Sequence, residues 1–225
     1  MSAANMYLWW GSGSGPCWKP MIVLAEKGLW KDCPNKLVQF SQKEHKGPDV
    51  MKLNPRGQVP TFKDGDLVIN ESAAICSYLD ETFGTDKPLI PKSQPARAKC
   101  LQRMYESDNL QSKVMLPLIY YKMRTKKEDW DNELLAKNAA EAKEELKHWE
   151  GYLNENKFVA GNEFTMADIF VFVFIAMCFR QGAKLEEFPK IRKFYNELME
   201  RPAIKETMPP HWADSPSPNQ MEGLL

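Results

Sequence analysis

Residues 54–72 read Asn-Pro-Arg-Gly-Gln-Val-Pro-Thr-Phe-Lys-Asp-Gly-Asp-Leu-Val-Ile-Asn-Glu-Ser, and the order of signals in this stretch decides the fold class. Val59-Pro-Thr-Phe62 and Leu67-Val-Ile69 are short runs of the residue types that fill strands. Between them Asp64-Gly65 is a hairpin signal, because glycine takes the positive φ that a tight loop needs. A helix follows from Glu71 to Phe83. Upstream, Met6-Tyr-Leu-Trp-Trp10 reads as a strand, Gly11-Ser-Gly-Ser-Gly15 as a loop, and Pro16 to Gly28 as a helix with proline in its first turn and glycine at its stop. Lys36-Leu-Val-Gln-Phe40 reads as another strand. Strand, helix, strand, a loosely helical segment, hairpin and helix in that order make a mixed α/β unit over residues 1–84.

Residues 85–95 hold three prolines and little helical pattern, which predicts a linker, and residues 96–225 read as an all-helical domain. Leu135, Ala139, Ala142, Leu146, Trp149 and Leu153 recur at steps of three and four and form one apolar helix face. Pro117 should distort the helix that contains it, since proline lacks the backbone donor and crowds the preceding turn. Thr165-Met-Ala-Asp168 has the spacing of a capping box just before the apolar run Ile169–Phe179. That run is about half of the ~20 residues a membrane span needs, so a buried helix is expected. The tail after Pro209 has no regular period and is expected to run along the surface.

Composition narrows the functional classes. Thirty basic and 30 acidic residues balance, so neither a nucleic-acid footprint nor a polybasic membrane surface is suggested. The five cysteines are scattered without a CxxC pair, and the three histidines form no paired-ligand motif, so reduced thiols and no metal are expected. The apolar run Met6–Trp10 is too short for a signal-peptide core, which predicts a cytoplasmic protein.

Two segments carry chemistry. The Gly11–Gly15 loop between a strand and a helix presents serine hydroxyls and backbone N–H groups at the positive end of a helix dipole, where an anion is stabilised; the same residues also read as a plain flexible loop. Extended backbone at Val59 can pair with a peptide-like ligand. At the start of the next helix, Asn70 or Ser72 can cap, Ser72 can receive a carboxylate and Glu71 an ammonium. Without a ligand these are a turn and a cap.

Taken together, Ser14-Gly-Pro-Cys-Trp18, His45, Asn54–Pro60, Asn70-Glu-Ser-Ala-Ala-Ile75 and Thr165–Asp168 occur in an order that resembles the cytosolic glutathione transferases over nearly the whole chain. The pattern is similar to the serine-type delta, theta, phi and zeta classes, and the tryptophan-rich start looks like the rho class. The resemblance implies a thioredoxin-like N-terminal domain, an all-helical C-terminal domain contributing the electrophile pocket, a homodimer, and a cis bond before Pro60. It implies glutathione as co-substrate with no permanently bound cofactor, and apolar electrophiles as acceptors.

By position, the resemblance makes Ser14 the donor to the glutathione sulfur, with Ser12 and Cys17 as rivals. A reactive Cys17 would mean thiol transfer or dehydroascorbate reduction instead. His45 and Lys46 fall at the glycyl end, Gln58 at a side-chain contact of the phi class, Val59 with Pro60 after it at the backbone pair to the cysteinyl portion, and Glu71 with Ser72 at the γ-glutamyl end. The acceptor pocket would draw on Tyr105–Met123 and on the tail near Trp212. Gly57 departs from the histidine or lysine of the delta, theta and zeta patterns, and Ala73 from the arginine frequent in delta enzymes. A non-catalytic structural or translation-factor-type member of the fold, and a zeta-type isomerase, are the remaining readings.

Overall fold

A computed structural model describes residues 5–83 and 86–225. The N-terminal Met1–Ala4 and the expected domain boundary at residues 84 and 85 lie outside the described residues. Two compact units emerge, Met1–Pro88 with Arg201–Ser215, and Leu89–Glu200 with Pro216–Leu225.

In the first unit, β1 (Met6–Trp10), β2 (Asn35–Leu37), β3 (Thr61–Asp64) and β4 (Leu67–Asn70) form a sheet of order β2-β1-β3-β4. β1 pairs parallel to β2 and antiparallel to β3, and β3 antiparallel to β4. Alternation along β1 buries Met6, Leu8 and Trp10, while Tyr7 and Trp9 are half-buried on the other face. Helix α1 (Gly15–Glu26) packs on α3 (Ser72–Phe83), and the single turn α2 (Pro48–Met51) lies between them in sequence. It stops in a Schellman motif in which Leu29 N–H donates to Leu24 O at 2.8 Å and Gly28 N–H to Ala25 O at 2.9 Å. The motif needs the positive φ of +69° that Gly28 supplies. Gly65 at φ +58° is the first residue of the β3–β4 turn.

One strand is shorter than the sequence reading and another is displaced along the chain by two residues. After Leu37 one more bond forms, Val38 N–H to Trp10 O, and then the Glu44 carboxylate takes the Gln39 N–H, which peels the chain off the sheet before Phe40. β3 begins at Thr61 and not Val59, because Pro60 has no N–H for the ladder. The Val59–Pro60 bond is cis, as the family resemblance implied.

Residues 201–215 belong to the first unit, whereas the sequence reading placed them in a continuous helical domain. They carry the short helix α9 (Pro202–Glu206), and their partners lie on α1. Arg201 Nη2 donates to Glu26 Oε2 at 2.8 Å, the Trp18 indole N–H donates to Thr207 Oγ1 at 3.0 Å, and the Trp18 and Trp212 rings meet edge to face at 5.2 Å. Deep in the same unit Lys27 and Asp80 form an ion pair at 2.6 Å with both side chains buried.

The second unit is helical, with α4 (Gln94–Glu106), α5 (Tyr121–Arg124), α6 (Asn132–Glu155), α7 (Met166–Arg180) and α8 (Pro189–Met199). Every residue of the apolar face read from the sequence, Leu135 to Leu153, is buried in α6. α7 is buried from Met166 to Cys178 and opens on the expected capping box. Asp168, fully buried, accepts from Val159 N–H at 2.9 Å and Thr165 N–H at 2.7 Å, and burial pushes its carboxyl up to about 6. The distortion expected at Pro117 takes the form of π-winding over Leu110–Tyr120, a wider turn around a residue that cannot donate.

The tail is pinned more firmly than its composition suggests. Pro216 O accepts from Arg180 Nη2 at 2.9 Å and Gln220 O from Lys122 Nζ at 2.7 Å, and Met221 is fully buried. Among the described residues no helix is long and apolar enough to cross a membrane, and no group of three or more His, Cys, Asp or Glu side chains could hold a metal ion.

Candidate functional site

Strand register gathers the chemistry at one end of the sheet. Trp10 stands opposite Leu37, Trp9 opposite Thr61, and Thr61 opposite Asn70. The end of β1, the end of β2, the start of β3 and the end of β4 therefore coincide. The Gly11–Ser14 loop, the stretch through Phe40, His45 and Lys46, the Gln58–Pro60 segment and the Glu71–Ser72 turn all leave the sheet there.

The Gly11–Ser14 loop is a turn closed by Ser14 N–H to Gly11 O at 3.2 Å, with Gly13 at φ +76° in the position that requires glycine. A Cβ at Gly11 would stand 2.2 Å from the Phe40 ring, so the ring covers bare backbone. Ser14 is the N-cap of α1, in the extended conformation, and its Oγ accepts from Cys17 N–H at 3.4 Å. That bond uses a lone pair and leaves the hydroxyl proton to donate, at the end of the helix where partial positive charge accumulates. Ser12 has a different partner, His211, whose Nδ1 lies 2.5 Å from Ser12 Oγ.

Cys17 sits inside the helix, fully buried, with its sulfur accepting from Gly11 N–H at 3.4 Å. Burial pushes its thiol up to about 11, against the smaller lowering by Ser14 and the Gly11 N–H. Reactive thiols need an electropositive, partly open setting; this one is the opposite, a structural cysteine.

At the end of β2 a single 3₁₀ turn, Glu44–Lys46, carries His45 and Lys46. The His45 ring meets Phe40 edge-on at 5.3 Å, and its Nδ1 is buried with no hydrogen-bond partner. Lys46 Nζ donates to Arg56 O at 2.8 Å. Its stem packs over Gly57: a Cβ there would come within 2.7 Å of Lys46 Cδ and of Met51 Sδ, and the backbone is at φ +57°, which favours glycine. Lys46 thus fills the space over position 57 that a side chain would otherwise take.

The sequence reading assigned no role to Asn54, which is buried and acts as the brace of the next segment. Its Nδ2 donates to Gln58 O at 2.9 Å and its Oδ1 accepts from Arg56 N–H at 3.1 Å, while Thr61 Oγ1 donates to the same Gln58 carbonyl at 3.0 Å. The signal for it was present, since asparagine before proline favours a side-chain-closed turn. With Gln58 held this way, the Val59 N–H and C=O take no backbone partner among the described residues.

Asn70 does not cap α3. Its Nδ2 donates to Leu53 O at 3.2 Å, tying the end of β4 to the segment before Asn54, and its Oδ1 is buried without a partner. Glu71 follows at φ +74°, a conformation that costs a non-glycine residue about 1–3 kcal/mol and tends to persist where function requires it. The turn leaves the Glu71 side chain exposed beside Ser72, the first residue of α3.

Tyr105 and Met123, at the ends of the stretch expected to line an acceptor pocket, are 68% and 61% exposed. Trp212 lies instead in the first unit, against Trp18.

Comparison with known proteins shows the family. Residues 14–82 match the family model described as glutathione S-transferase, N-terminal domain, and residues 110–202 the one described as glutathione S-transferase, C-terminal domain. The chain is 43% identical over 222 residues to glutathione S-transferase A of Pleuronectes platessa, covering 97% of this chain and 98% of that one. A crystal structure of a glutathione S-transferase from the Antarctic clam Laternula elliptica superposes with a TM-score of 0.91 at 49% identity, covering 98% of this chain and 100% of that one. A delta-class glutathione transferase of Nilaparvata lugens gives 0.83 at 28% identity, with 96% and 97% covered.

Proposed function

The chain belongs to the glutathione S-transferase family, and on that premise we propose that Ser14 donates its hydroxyl proton to the sulfur of bound glutathione and holds it as the thiolate that attacks apolar electrophiles. The observation that carries this reading is the N-cap geometry of Ser14: an oxygen already satisfied by Cys17 N–H, a proton still to give, and a helix terminus behind it. A free thiol with a pKa of about 8.5 is only a few per cent ionised at neutral pH. Lowering that value by ~2 units takes roughly 2.7 kcal/mol of preferential interaction with the anion. A charge-assisted hydrogen bond together with the helix terminus is of that size.

The shared sheet end supports the remaining contacts of this reading. Val59 pairs through its backbone with the cysteinyl part of the ligand, with cis Pro60 behind it, Glu71 takes the γ-glutamyl ammonium and Ser72 its carboxylate, His45 and Lys46 face the glycyl end, and Gln58 contributes a side-chain contact. Glutathione is a co-substrate, and the acceptors are apolar electrophiles. The protein acts in the cytoplasm as a homodimer, in detoxification.

Conjugation of glutathione to 1-chloro-2,4-dinitrobenzene by wild type, Ser14→Ala and Cys17→Ala tests the assignment. Loss in Ser14→Ala with glutathione affinity kept, beside an active Cys17→Ala, supports it. An active Ser14→Ala sinks it, and an inactive Cys17→Ala moves the chemistry to the thiol.

A further inference from the structure

Ser14 can hold a thiolate, but the proton that leaves the thiol must go somewhere, and the chain brings a histidine to the same loop. His211 is 199 residues away from Ser12 in sequence, yet its Nδ1 is 2.5 Å from the Ser12 hydroxyl. The contact depends on a bare backbone, since a Cβ on Gly13 would stand 2.7 Å from His211 Cε1. The imidazole is held by its own short turn, α10 (His211–Asp214), where the carbonyl of His211 accepts from Ser215 N–H at 3.1 Å and Ser215 Oγ at 2.6 Å. The turn is anchored to α1 by Trp212 on Trp18 and by Thr207 under the Trp18 indole. Such a chain of fixed groups presets the ring before any ligand arrives.

We propose that His211, acting through Ser12, is the acceptor of the glutathione thiol proton. With the imidazole proton on Nε2, Nδ1 accepts from the Ser12 O–H. When glutathione binds, its S–H proton passes to Ser12 Oγ as the Ser12 proton passes to His211 Nδ1, leaving a thiolate, an intact serine and an imidazolium. The sulfur then forms its bond to the electrophilic carbon, and with an aryl halide the halide departs with the bonding pair. The imidazolium then releases its proton to water, to which His211 is exposed. The Gly11–Ser14 loop that meets the ring carries no charged side chain. Ser12 touches the substrate sulfur, and His211 is a positioning residue behind it. Ser14 and Ser12, on either side of Gly13, thus divide the work between holding the anion and taking the proton.

This inference rests on glutathione being bound at the Ser14 loop, and its test separates the two. Glutathione binding is measured by calorimetry in two buffers of different ionisation enthalpy, which gives the protons released per ligand, alongside the ultraviolet absorbance of the bound thiolate, for wild type, His211→Gln, Ser12→Ala and the double variant. The wild type should form thiolate while releasing less than a full proton. His211→Gln should keep glutathione affinity, lose about threefold in thiolate population at pH 7, the effect of raising a bound thiol of pKa about 6.5 by one unit, and release a full proton for each thiolate that remains. Ser12→Ala should do the same, and the double variant should be no worse than either.

In dinitrobenzene conjugation, added imidazole should restore part of the turnover lost in His211→Ala. Unchanged thiolate and proton release in His211→Gln overturn the proposal, as does a loss of glutathione affinity without imidazole rescue, which would make His211 a latch. If Ser14→Ala keeps the thiolate while His211→Gln loses it, the Ser14 assignment falls and this one stands.

Discussion

Replacing Ser14 by alanine removes one oxygen that does two jobs, and the two losses are separable. As N-cap, Oγ accepts from Cys17 N–H at 3.4 Å, a long bond, so the stability cost belongs at the low end of the range for cap removal, about 0.5–1 kcal/mol. As thiolate donor its loss is larger. If the bound thiol returns from a pKa of about 6.5 to about 8.5, the thiolate fraction at pH 7 falls from roughly three quarters to roughly 3%, about 25-fold. Loss of transition-state stabilisation by the same hydroxyl can carry the deficit in kcat toward 10²-fold.

The pH course is the sharper signature of this loss. Because the defect lies in ionising the thiol, the gap between wild type and Ser14→Ala should be widest below pH 7 and narrow as the pH passes about 8.5, where the thiol ionises unaided. Steady-state conjugation between pH 6 and 9, with unfolding followed in urea, reads both effects. Ser14→Thr, which keeps a hydroxyl at the cap, should recover much of each. A deficit that does not change with pH, or one fully explained by lost stability, refutes the reasoning.

Other consequences can be measured on the same protein. Burial holds the Asp168 carboxyl at about 6 against 3.8 for the free group, so the folded state keeps this proton longer than the unfolded one; its contribution to stability is fully present below about pH 4 and is lost as pH rises through 6. Urea unfolding at several pH values should show that slope in the wild type and lose it in Asp168→Asn, which should also be less stable by roughly 2 kcal/mol because an amide N–H₂ then faces N–H donors. Lys27→Met strips a partner from buried Asp80 and should cost about 3 kcal/mol in urea unfolding. Gly57→Lys, meant to restore the cation of related classes, should instead lower the melting temperature and leave glutathione affinity no better, since the new Cβ meets Lys46 and Met51 at 2.7 Å on a backbone at φ +57°. Cys17→Ala should keep conjugation, and in the wild type Cys17 should resist thiol-alkylating reagents near neutral pH, because a buried thiol at about 11 supplies almost no thiolate.

Local signals were legible in the sequence wherever a single residue type does the physical work. The hairpin at Gly65, the Schellman stop at Gly28, the capping box at Thr165–Asp168 and the buried face of α6 each depend on neighbours within a few positions, and each forms as read. The candidate ligand residues were legible as a set only through the combination of Ser14, Val59–Pro60 and Glu71–Ser72; strand register is what brings them to one sheet end. Tertiary structure alone decided the rest. Asn70 turns away from the cap because Leu53 O lies within its reach, and Gly57 stands at φ +57° with the Lys46 stem packed over it. Cys17 and Ser14, three residues apart, have opposite chemistry because burial raises one thiol while the helix start leaves the other hydroxyl a proton to give. Residues 201–215 join the first unit, with His211 beside Ser12, since their partners on α1 and its loop are nearly two hundred positions away; no periodicity or local motif encodes a contact that forms only when the chain has folded back.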